Sequence, residues 1–134
     1  MAPVASRWSL VARKGSSSPI RDVGSFEKLA VYRRAVALAD EIAAGVFCWP
    51  SFHRWTVGVQ LVRAADSIGA NIAEANGRAK DPDQRRLLVI ARGSIYETQH
   101  WLARAQSRGL ECPPDARERA AEVGRMLNGL VRSL

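Results

Sequence analysis

From residue 26 onward, apolar side chains return every three or four positions, and no stretch alternates with a period of two. Val31, Ala35, Leu38 and Ile42 set the first stripe. Phe26, Leu29, Val36, Ala39, Ala43 and Val46 widen it. Ser25 is the candidate cap of this helix, which spans about Phe26 to Phe47. It stops at Cys48-Trp49-Pro50, because proline disfavours helical geometry in the residue before it. A second helix starts at Ser51, again a candidate cap, and runs to about Arg78. Leu61, Ala65, Ile68, Ile72 and Ala75 form its stripe, and Asn76-Gly77 is a stop that suits the left-handed conformation.

Asp81-Pro82-Asp83-Gln84 opens the third helix. Asp81 is a cap, Pro82 suits the first turn, and Gln84 stands where a capping-box residue reaches back. Leu87 or Leu88, Ala91, Ser94 or Ile95, Thr98, Trp101 or Leu102, and Ala105 supply its inner face, and Gly109 closes it. The fourth helix follows Pro113-Pro114-Asp115, with Ala116, Ala120, Val123, Leu127, Leu130 and Leu134 at heptad-like spacing. Four amphipathic helices with short connections predict an all-α, antiparallel up-down four-helix bundle over residues 25–134. Residues 1–24 lack sustained periodicity, contain Gly15-Ser16-Ser17-Ser18-Pro19, and read as a flexible basic arm.

The stretch Gln60 to Lys80 places small and polar residues among positions that face the interior. A helix so lined must pack closely against a neighbour. Asp66, Ser67, Asn71 and Glu74, with Ser94 and Glu97 on the next helix, are expected to form a polar network that fixes the register of helices two and three.

Candidate chemistry changes the picture little. Glu97 and His100 make one Glu-x-x-H, a ligand pattern of di-iron bundles, but the other histidine, His53, has Pro50 three residues before it. A di-metal site is therefore short of ligands. Ser67 and Ser94 have no histidine placed as base and no Gly-x-Ser-x-Gly elbow. No phosphate loop or zinc spacing occurs. The two cysteines, Cys48 and Cys112, form no metal or redox spacing and are expected as free thiols. We expect no catalytic residues, no metal and no cofactor.

Charge points to a class of partner. The 134 residues carry a net charge of +7. The excess sits in residues 1–24 and in the middle of the chain, whereas residues 25–47 and 111–134 are balanced. Arg78, Lys80, Arg85 and Arg86 cluster about the second interhelix turn, and Arg63 and Arg92 extend the patch. Guanidinium groups suit phosphate oxygens, so these six are the candidate nucleic-acid contacts. Trp49, Phe52 and Trp55 crowd the first interhelix turn, as a core plug or as a contact for a partner. No apolar run is long enough to span a bilayer, and no apolar segment with a cleavage site marks a secretory signal. A cytoplasmic location without membrane attachment is the expectation.

The blocks Phe26–Ile42, Gln60–Arg78, Leu87–Gly109 and Val123–Leu134 resemble the bacterial four-helix-bundle family named after intervening sequences of 23S rRNA genes. The related accessory variability determinant proteins of diversity-generating retroelements share its architecture. The most specific blocks are Arg63 to Glu74 (RAADSIGANIAE) and Ala91 to Glu97 (ARGSIYE). The chain departs at Gly69, where relatives often carry proline, and at Ala75, where they often carry glycine. The resemblance implies a homopentamer with basic surface and, in the retroelement branch, binding to a reverse transcriptase and its template RNA. The expected function is a non-enzymatic oligomeric bundle that binds RNA or DNA, or a reverse transcriptase as accessory factor. The alternative is a protein-interaction scaffold without direct nucleic-acid binding.

Overall fold

The computed structural model describes residues 26–78 and 81–134, with side chains from Leu29 onward. The arm, the Ser25 cap, the Phe26 side chain and Lys80 lie outside the described residues. All regular structure among the described residues is helical. Helix α1 spans Phe26–Phe47. Helix α2 is composite: an α-helical turn Ser51–His53, a π-helical stretch Arg54–Gly58 and an α-helix Val59–Asn76. Helix α3 spans Asp81–Ser107 and α4 spans Ala116–Ser133. Each helix packs on its neighbour in sequence, and α1 also packs on α4, so the four enclose one core.

The predicted stripes line that core. Leu38 and Ile42 of α1 meet Leu61, Ile68 and Ile72 of α2, Leu88 and Leu102 of α3, and Val123 and Leu127 of α4, all essentially without solvent exposure. Burial of such a side chain stabilises the fold by about 1.5–3 kcal/mol, and these nine are the main source of cohesion. Two ion pairs, Arg34–Glu122 and Arg119–Glu41, tie α1 to α4 at the surface. Exposed pairs contribute little, about 0–1 kcal/mol each.

The helix ends differ from several sequence expectations. Pro50, not Ser51, precedes the first turn of α2, and no side chain caps it. Gly77 stays right-handed at φ −81°, so α2 does not end in a left-handed residue. Instead the Gly77 and Arg78 amides bond back to Glu74 O and Ala75 O, both at 3.1 Å, which closes the helix without a reversal. The left-handed stop occurs at Gly109, φ 69°, where the Leu110 amide reaches Ala105 O at 3.0 Å. Gln84 does not reach back toward Asp81; its amide donates to Arg78 O across the α2–α3 turn.

Gly58 and Gly69 permit close packing of α2 on α1. A Cβ at Gly58 would stand 2.6 Å from Val46 Cγ1 and 3.2 Å from His53 O. A Cβ at Gly69 would stand 3.1 Å from Val36 Cγ2, and α2 continues through Gly69 without a break. Beyond α1, Trp49 turns inward, and its indole Nε1 donates to Glu111 O at 2.7 Å. That bond fastens the α1–α2 turn to the α3–α4 turn.

Candidate nucleic-acid interface

Arg63, on the outer face of α2, is exposed and has no hydrogen-bond partner among the described residues. The helical repeat puts Glu74 and Arg78 on the same outer stripe. The Arg78 guanidinium donates to Glu74 Oε1 at 2.8 Å, four residues back. That bond, with the charge of Glu74, holds the guanidinium pKa above its ordinary value. Arg85 and Arg86 stand exposed on the first turns of α3, beside the equally exposed Asp81 and Asp83. No carboxylate among the described residues forms an ion pair with Arg63, Arg85 or Arg86. Three cations are thus open to an anion: Arg85 and Arg86 beside the α2–α3 turn, and Arg63 about 22 Å of helix before Arg78.

Arg92 is placed differently. It is half-buried, and its Nη1 donates to Asn128 Oδ1 of α4 at 3.0 Å. The side chain is engaged in joining α3 to α4. Sequence spacing put it in line with Arg85 and Arg86. The partner that turned it inward came from 36 residues downstream.

The polar residues of α2 divide into three environments. The Ser94 hydroxyl of α3 donates to the Ser67 hydroxyl at 2.9 Å, and Asn71 Nδ2 donates to the same hydroxyl at 3.0 Å and to Ser67 O at 2.8 Å. Thr98, wholly buried, continues the seam by donating to Ser94 O at 2.8 Å. Glu74 and Glu97 are outside this seam. Both are exposed; Glu74 meets Arg78, and Glu97 accepts a long contact of 3.5 Å from Trp101 Nε1. Carboxylates are costly to bury without a paired cation, and the tight interface of Ser67 with Ser94 leaves no room for one.

Asp66 faces the other neighbour. With Asp40 of α1 it borders a groove of about 250 Å³ walled by Tyr32, Val36, Gly69 and small residues. Partial burial raises the pKa of both carboxyls, and the charge of Asp40 raises Asp66 further. Sequence periodicity placed Asp40 off the apolar stripe but carried no sign that the two acids would meet.

Glu97 and His100 both lie on the exposed face of α3, with the His100 ring edge-on to Trp101 at 4.8 Å. They point away from the bundle interior where a di-metal site would be built. Among the described residues, no group of three or more His, Cys, Asp or Glu is placed to hold a metal ion. Cys48 and Cys112 are free thiols, and burial pushes the Cys112 thiol pKa up. Among the described residues, no helix is long and apolar enough to cross a membrane.

Known proteins supply the remaining findings. A solved structure from Bacteroides thetaiotaomicron VPI-5482, described as a protein of unknown function from the S23 ribosomal protein family, superposes with a TM-score of 0.71. It is 22% identical, and the alignment covers 80% of this chain and 99% of that one. At that identity the likeness is one of fold. No functionally curated protein matches. The profile of the 23S rRNA-intervening sequence proteins matches residues 27–129, which takes in α2 and α3 whole and nearly all of α1 and α4. With the bundle and the match agreeing along the helices, the chain belongs to the 23S rRNA-intervening sequence protein family.

Proposed function

We propose that the protein is a non-enzymatic, oligomeric RNA-binding bundle, in which exposed arginines of α2 and α3 contact the phosphate backbone. The observation that carries this reading is the exposure of Arg63, Arg85 and Arg86 without ion-pair partners, on a chain of net charge +7. Membership of a family named for an rRNA intervening sequence makes RNA the first substrate to test. Each arginine that reaches a phosphate releases condensed counterions, so affinity falls with salt. Arg78 joins them if phosphate displaces Glu74, while Lys80 completes the turn in sequence. DNA and a reverse transcriptase are further partners of the same surface. The short interhelix connections support an antiparallel up-down course, and a homopentamer is the proposed assembly, in the cytoplasm.

The test is binding of a fluorescent RNA across a salt series. Arg85→Glu combined with Arg86→Glu is expected to lower the salt slope by about 1.4 for a single strand, the share of two phosphate contacts. Affinity at low salt is expected to fall at least about tenfold, because two attractions become repulsions. RNA and DNA binding that are both undetectable at low salt, or indifferent to the double substitution, would remove the proposal. Light scattering should return about five times the 14.7 kDa chain mass; a monomer mass would remove the pentamer alone.

A further inference from the structure

Three aromatic rings project from the end of the bundle where α1 meets α2. Phe47 ends α1, and Phe52 and Trp55 stand on the first turns of α2, with exposures of 62%, 69% and 70%. Burial of each would stabilise the fold by about 1.5–3 kcal/mol, yet the fold leaves all three in solvent. A single exposed ring is unremarkable, whereas three within nine residues form a patch of the kind that marks a binding surface. Trp49 lies among them in sequence and serves the opposite purpose, buried on Glu111 O.

Cations are built into this patch. The Arg54 guanidinium lies 5.8 Å from the centroid of the Phe47 ring. Its Nη1 donates to Phe47 O at 3.1 Å, which fixes the group in place at the end of α1. Its Nε is shielded from water and has no partner, as has Nδ1 of His53. The His53 ring stands edge-on to Phe52 at 5.3 Å. The Trp49–Glu111 bond brings the α3–α4 turn to this end, and with it the exposed Arg108. The widened π turn of Arg54–Gly58 sits at the centre; such turns recur at functional sites because they re-aim the side chains they carry.

We infer that this end of the bundle binds unpaired nucleotides of a single RNA strand, with bases stacked on Phe52 and Trp55 and phosphates met by Arg54 and Arg108. The inference rests on the RNA-binding reading above and assigns a second contact surface to it. Trp55 and Arg78 are separated by about 34 Å of α2, so the rings lie well away from the α2–α3 turn that carries Arg85 and Arg86, with Arg63 between the two. Rings beside fixed cations suit the alternation of base and phosphate in an unpaired strand. Paired bases keep their faces inside the stack and offer nothing to these rings.

The experiment compares an unstructured RNA of about 12 nucleotides, within the usual single-strand site size, with a blunt duplex, both at low salt. Phe52→Ala with Trp55→Ala is expected to weaken single-strand binding about 30-fold, the loss of two stacked bases at the low end of their strength. Duplex binding is expected to stay unchanged, and Trp55→Phe is expected to restore most of the single-strand affinity. Both rings are exposed, so a melting curve like that of the wild type accompanies the loss. Equal losses on both RNAs, or none on either, would overturn the inference while leaving the arginine surface standing. So would a loss of assembly mass in light scattering without a change in RNA affinity, which would make the rings a subunit contact. A wild-type protein that binds neither RNA would overturn both readings.

Discussion

The Ser94 hydroxyl on α3 donates to the Ser67 hydroxyl on α2 at 2.9 Å, and this contact sits in the middle of the interface between the two helices. Two serines can meet this closely only where both helices present small residues. Ala64 and Ala91, both buried, flank the contact on their own helices. An offset of one helical turn would separate the hydroxyls and leave Ser94 buried without its partner on α2.

Ser67→Ala and Ser94→Ala are each expected to destabilise the protein by about 1 kcal/mol, with a coupling of similar size in the double-mutant cycle. Chemical denaturation reads all four values. Glu74→Leu and Glu97→Leu, at exposed positions, are expected to stay within about 0.5 kcal/mol of wild type. Additive serine effects would show that the two hydroxyls do not depend on each other.

Much of this seam was legible in the chain. Ser67, Asn71 and Ser94 stand at polar positions inside otherwise apolar stripes, and periodicity alone marks them. Glu74 was assigned to the same seam because 3.6-residue spacing resolves a helix face only to within about one residue. The helix bounds fared similarly. Pro50, Pro82 and Pro114 punctuate the chain strongly, and α1, α3 and α4 begin or end where such signals fall. The π stretch had no such signal. Gly58, its last residue, packs closely on Val46, a tertiary contact that local sequence does not encode. Arg92 and the meeting of Asp40 with Asp66 were hidden for the same reason: their partners lie on other helices.

Gly58→Ala tests how tightly α2 is pressed on α1. The new methyl would meet Val46 Cγ1 at 2.6 Å and a backbone carbonyl at 3.2 Å, and the carbonyl cannot swing aside. Helix propensity favours alanine by about 1 kcal/mol, but overpacking costs about 1–3 kcal/mol, so net destabilisation is expected. A thermal melt higher than wild type would mean that the two helices can separate locally at no cost.

Asp40 and Asp66 make the fold more tolerant of acid at their groove. Both carboxyls have raised pKa values, from burial in each case and, at Asp66, from the charge of Asp40 as well. The folded state therefore takes up these protons at a higher pH than the unfolded chain does. Above the raised values both carboxyls are charged, and the pair opposes folding. As pH falls through the raised values, the opposition is relieved, and it is gone below the ordinary 3.8. Asp66→Asn is expected to raise Tm at neutral pH, with the gain shrinking toward zero as the pH approaches 3.8. A gain that is constant with pH would assign the effect to something other than charge.

The bond from Trp49 to Glu111 spans 62 residues of chain. During synthesis, the ribosome releases Trp49 long before its acceptor has been made. A nascent chain that ends at Ser107 has three complete helices, yet it lacks both the carbonyl that receives the indole and the apolar wall that α4 supplies. The Arg34–Glu122 and Arg119–Glu41 pairs wait for the same segment. The last fifth of the chain thus acts as the latch of the domain: until it emerges, the newborn protein stays open along one side and depends on its surroundings to keep that side covered.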